Sequence, residues 1–100
     1  MDENQIKNAL APYRARIDAL DKEIIDLLRA RYDVIEEVAD IKLEHNIDAV
    51  LQYRVDEVRE NAAKDAASKG LDEDFIRHLY AQLIEHSCNL EDKIKNDKAA

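Results

Sequence analysis

Ile17, Leu20, Ile24, Leu27, Arg31, Val34, Val38 and Ile41 follow one another at alternating spacings of three and four residues. That rhythm keeps all eight on one face of an α-helix. Leu28 and Ile35 widen the face, and Arg31 is its single charged member. No breaker intervenes between Pro12 and the His45-Asn46 region. A helix from Pro12 to Glu44 is roughly 50 Å long at the helical rise. A compact globule of this chain length is only about 34 Å across. The helix therefore overruns its own core with an apolar stripe in water, and covering that stripe needs another chain. An antiparallel partner related by a two-fold axis is the simplest closed arrangement. A plain coiled-coil dimer ranks below an intertwined bundle, because two shorter amphipathic segments also need a surface to pack on.

Pro12 fits either the first turn of this helix or a mild kink in one that starts earlier. Asp48 is the expected N-cap of a second helix with apolar positions Leu51, Val55, Val58 and Ala62. Gly70, the one glycine, stands where a C′ residue should end that helix. Asp72 then caps a third helix, with Glu73 and Asp74 in its first turn. Its apolar face reads Ile76, Leu79, Tyr80, Leu83, Ile84, Leu90 and Ile94. The expected fold is all-α, one domain over residues 1–100. Its core spans about residues 10–94, and the tail 95–100 frays.

Composition agrees. One Gly and one Pro in 100 residues leave a sheet fold without turn residues. Lys and Arg total 15 against 23 Asp and Glu, a net charge of −8, which repels a diffuse polyanion and disfavours nucleic acid as a partner. A small anion in a local basic pocket remains compatible with that balance. A single Cys88 cannot form an internal disulfide, and MDENQIKNAL has no secretory pattern, so a reducing cytoplasm is the expected compartment. No apolar run is long enough to cross a bilayer.

The residues that interrupt the apolar faces carry the functional information. Lys42 lies 11 residues after Arg31, three turns plus about 20°, so the two cations share a face. Burying both costs several kcal/mol unless anions meet them. An intersubunit salt bridge, a side chain that snorkels its charged end into water, or an anionic ligand answers that cost. Arg14 lies roughly 42 Å from Lys42 along a straight helix, so only an antiparallel partner could bring it to the same ligand. On the third helix Ser87 and Glu91 lie one turn apart beside Leu90 and Ile94. They are either small packing and surface residues or polar members of a pocket. Burial there disfavours a charged carboxylate, and nearby cations favour it.

YRARIDALDKEIIDLLRARYDVIEEVADIK, QYRVDEV and GLDEDFIRHLYAQLIEHSCNLED, taken in order, resemble the all-helical type II chorismate mutase family. The resemblance runs from about Leu10 to Ile94. It implies an intertwined homodimer of three-helix chains with shared active sites and a chorismate-type dicarboxylate as ligand. Carried over residue by residue, it implies that Arg14 crosses to the partner's site to bind a carboxylate. Arg31 binds the other carboxylate region, and Lys42 bonds the ether oxygen. Arg54 sits near the mouth, and Ser87 and Glu91 form the third-helix pair. The chain departs from the pattern in two respects. Val55 stands where mutases usually place an acid for the ring hydroxyl, and Leu51 holds the nearby loop position. Glu91 stands where bacterial members more often have glutamine.

The implied reaction is the [3,3] rearrangement of chorismate to prephenate. It is unimolecular and needs no nucleophile, metal or cofactor. The chain's task is to hold a chair conformer and meet the negative charge that develops on the ether oxygen. Lys42 can do so directly, and Glu91 only as a protonated donor. Isochorismate-pyruvate lyase and aminodeoxychorismate mutase are the alternatives on the same scaffold, and a helical dimerisation module is the non-enzymatic one. His86 and Ser87 are helix neighbours that point apart, so no hydrolytic dyad is formed. His45, His78 and His86 lack metal-ligand spacing, and Cys88 reads as a buried apolar residue.

Overall fold

The computed structural model describes residues 1–99, and among them every regular element is an α-helix. These are α1 (Glu3–Glu44), α2 (Gln52–Ser68) and α3 (Glu73–Ala99). The chain divides into two compact units, Met1–Asp33 and a second that begins at Val34. Among the described residues no helix is long and apolar enough to cross a membrane.

Met1–Asp33 is occupied by the first three-quarters of α1. The helix starts at Glu3, so Pro12 lies inside it rather than in its first turn. A capping box sets that start. Gln5 N–H donates to Asp2 Oδ1 at 2.8 Å, and Asp2 N–H donates to Gln5 Oε1 at 2.9 Å. Ile17, Leu20, Ile24 and Leu27 are each more than half exposed. Arg29 pairs with Asp33 at 2.5 Å and lies over the Tyr32 ring, 5.5 Å from its centre.

In the second unit α2 and α3 pack on each other. The apolar residues buried there are mostly small: Ala39, Ala49, Ala63 and Ala66, with Ile84 the largest. Alanine lets helix backbones approach closely, at the expense of the transfer energy that larger side chains would contribute. A polar clamp joins α2 and α3 at their surface. Glu60 accepts hydrogen bonds from Arg59 and from Arg77, which also pairs with Asp74. The Arg59 and Arg77 bonds hold the Glu60 carboxyl below the usual carboxylate range.

Both connections begin with the same helix-ending motif. After α1, Ile47 N–H donates to Lys42 O at 2.8 Å and Asn46 N–H to Leu43 O at 3.3 Å, with Asn46 at φ 55°. After α2, Leu71 N–H donates to Ala66 O at 2.9 Å and Gly70 N–H to Ala67 O at 3.1 Å, with Gly70 at φ 74°. These are Schellman pairs, which satisfy the last carbonyls of a helix through one left-handed residue. Asp72 caps α3 as its sequence position implies, accepting from Phe75 N–H at 3.0 Å. Asp48 does not cap α2. The N-cap is Leu51, whose side chain cannot accept a hydrogen bond, and the turn after α1 leaves Asp48 too early in the chain to reach the first free amides. The last apolar position of α3 is Ile94, yet the helix continues to Ala99.

Gly70→Ala isolates the left-handed requirement, because a Cβ at this position meets nothing within 4 Å. The expected loss is about 1 kcal/mol of backbone strain. Urea denaturation at fixed protein concentration measures it, and an unchanged midpoint would show that the turn relaxes without cost.

Candidate active site

Burial on α3 is selective. Its three buried residues, Ile84, Ser87 and Glu91, recur at spacings of three and four and so form one stripe. Two of the three are polar. Ser87 Oγ donates to Leu83 O at 2.8 Å, one turn back on its own helix. Glu91 is 3% exposed, which places it inside the protein and not on the charged surface shared by Asp92 and Lys93.

An ammonium meets that carboxylate. Lys42 Nζ, from the last turn of α1, lies 2.8 Å from Glu91 Oε1. Lys42 also donates to the Ala49 carbonyl at 2.9 Å. Glu91 Oε1 is buried and has this charge partner, but no described residue gives it an aligned hydrogen bond. An acceptor of that kind, set against a cation in a dry place, is costly to maintain and is the mark of a polar site more than of packing. One of the three N–H groups of Lys42 is committed to the Ala49 carbonyl.

The other residues singled out in the sequence stand as follows. Arg31 is half-buried at the end of the first unit, and Arg14 is exposed within it. Arg54 is exposed and pairs with Glu57 on its own helix. Val55 and Leu51 are half-buried. Cys88 is half-buried, not fully buried, with Sγ 3.8 Å from Ala49 O. The structure thus brings together Lys42 and Glu91, with Ser87 one turn away on the same stripe. Sequence reasoning missed Ala49, whose carbonyl holds the lysine; a backbone acceptor leaves no trace in residue identity. It also missed the Asp2–Gln5 capping box, which was legible as an acid three residues before a glutamine.

The pair also yields a stability test. Lys42→Met leaves Glu91 buried without its cation, and the expected loss is about 3–5 kcal/mol at neutral pH. Adding Glu91→Leu removes the stranded charge and should recover part of that loss. Chemical denaturation of the two single variants and the double variant measures the coupling. Strictly additive losses would mean that the two groups do not act as one unit.

The profile of the chorismate mutase type II family matches residues 13–92. A 4-amino-4-deoxychorismate mutase of Streptomyces pristinaespiralis is 38% identical over 80 residues, which are 80% of this chain and 62% of that protein. A protein of the same name from Streptomyces venezuelae is 38% identical over 88 residues, 88% of this chain and 85% of its own length. A T-protein of Enterobacter agglomerans is 27% identical over 89 residues, 89% of this chain and 23% of that protein. No solved structure matches. A profile match across most of the chain, together with relatives at this identity, makes this protein a member of the chorismate mutase type II family.

Proposed function

We propose that this chain catalyses the [3,3] rearrangement of a chorismate-type dicarboxylate as a homodimer, with 4-amino-4-deoxychorismate as its substrate. The buried Lys42–Glu91 pair carries the reading. In the rearrangement one C–O bond breaks as one C–C bond forms, and negative charge gathers on the ether oxygen. An ammonium already held in a dry place stabilises that charge without reorganising at the moment of reaction. Glu91 contributes a donor only when protonated, since an ionised carboxylate repels the developing charge. Arg31 and Arg14 of the partner subunit are the proposed clamps for the two carboxylates, a task that suits the planar guanidinium fork. Arg54, Val55 and Ser87 complete the proposed binding set.

The names of the two Streptomyces relatives support the amino substrate. Leu51 and Val55 agree with it, because neither can bind a ring hydroxyl as the usual acids do. Chorismate itself is the second reading, supported by the family match. The homodimer rests on α1. Ile17, Leu20, Ile24 and Leu27 lie more than half in water, and covering such a side chain fully is worth about 1.5–3 kcal/mol. No large side chain is fully buried among the described residues, so the chain alone has little core to set against its conformational entropy.

Product analysis after incubation with 4-amino-4-deoxychorismate, chorismate and isochorismate tests the substrate. The expected result is the rearranged amino product, with a higher kcat/KM than for chorismate. A preference for chorismate would overturn the amino assignment but keep the mutase. Salicylate and pyruvate from isochorismate would replace the mutase with a lyase, and turnover of none would remove the enzymatic reading. Mixing Arg14→Ala with Arg31→Ala chains tests the shared site. Each variant alone should be nearly inactive, and an equal mixture should regain about one quarter of wild-type sites, since half the dimers are mixed and each holds one intact site. No recovery after proven subunit exchange would place Arg14 and Arg31 in the same site from one chain or in none.

A further inference from the structure

Lys95 lies one turn after Glu91 on α3, so both side chains leave the same face of the helix. It is half-buried, and its Nζ donates to the Ile47 carbonyl at 2.6 Å. Ile47 is the residue whose N–H closes the end of α1 onto the carbonyl of Lys42. Two residues on, the carbonyl of Ala49 accepts from the Lys42 ammonium. The loop is thereby bonded to Lys42 at both its backbone and its side chain, and Lys95 ties the loop to α3 at a point between those two bonds.

We propose that Lys95 is a positioning residue for Lys42: it fixes the 45–51 loop through Ile47, and the loop fixes the ammonium through Ala49. The proposal rests on the reading of Lys42 as the group that meets the ether oxygen. A lysine side chain is long and rotamer-rich, and a single charge partner at 2.8 Å does not determine its position. Two anchors do, and both trace to one face of α3: Glu91 directly and Lys95 by way of the loop. Lys95 also sits near the C-terminal carbonyls of α1, where any cation is favourable. That simpler role predicts a change in stability alone, with Lys42 unmoved.

Lys95→Met separates the two roles. The readouts are the rate at which trace acetic anhydride labels the Lys42 amine, read by mass spectrometry, and the steady-state constants of the same sample. The expected outcome is labelling of Lys42 several-fold faster, kcat lower by roughly tenfold and KM within about twofold, because a displaced donor costs the transition state more than the ground state. Lys95→Arg, which keeps a cationic donor, should restore both readouts. Lys93→Met, an exposed control on the same helix, should change neither. If Lys95→Met does not fold, Lys95→Gln takes its place with the same expectations in smaller measure. Unchanged labelling of Lys42 in a folded variant overturns the proposal, whether or not kcat falls. If the wild-type protein turns over none of the substrates, the mutase reading fails, and labelling alone decides whether Lys95 holds Lys42.

Discussion

An ammonium and a carboxylate that leave water together impose conditions on everything around them. Lys42 and Glu91 come from different helices and meet at 2.8 Å, largely buried. Desolvating such a pair costs several kcal/mol, which attraction between the two repays only when the geometry is good. Much of the second unit supplies that geometry. The end of α1 is closed by Asn46, the loop beyond turns the Ala49 carbonyl toward the lysine, and α3 places the carboxylate opposite. Apolar residues of similar size often serve as well in such a place. Their absence is the reason to read the pair as chemistry.

The pair also bears on which reactions the family scaffold can perform here. A unimolecular rearrangement asks for no nucleophile and no proton relay, only for donors placed where charge appears. In the proposed reading Lys42 meets that requirement. The same reading leaves the ring end of the ligand to Leu51 and Val55, apolar residues that would bind it by shape and not by charge. On this reading, recognition of the ring substituent and stabilisation of the transition state fall to different elements, so the first could change among relatives without disturbing the second.

Helix number, the third cap and the Gly70 turn were legible in the sequence, because each depends on local pattern: apolar spacing, an acid before a helix, a glycine after one. The Lys42–Glu91 contact was legible only in part. Each residue stood out as a charge on an apolar stripe, and the family resemblance put both in one site. That they meet each other, and that Glu91 is buried and not shared with the surface run at Asp92, follows from packing between elements far apart in sequence. The two local differences have local causes. Asp48 has the side chain of a cap but follows a Schellman turn that sets the next helix start three residues later, at Leu51. The start at Glu3 was hidden by Pro12, a residue that a helix accepts only reluctantly beyond its first turn and that this one nonetheless accepts.

The alanines at the centre of the second unit give the chain two opposite sensitivities. Where Ala39 and Ala63 are wholly enclosed, there is no room to grow: one added methyl group forces backbones apart, and overpacking of this sort costs about 1–3 kcal/mol. Along Ile17, Leu20, Ile24 and Leu27 polarity is the stricter limit, since a charge on this half-exposed stripe would oppose the covering by a second chain proposed above. Sequence drift in this protein should therefore be limited by volume after Val34 and by polarity before it.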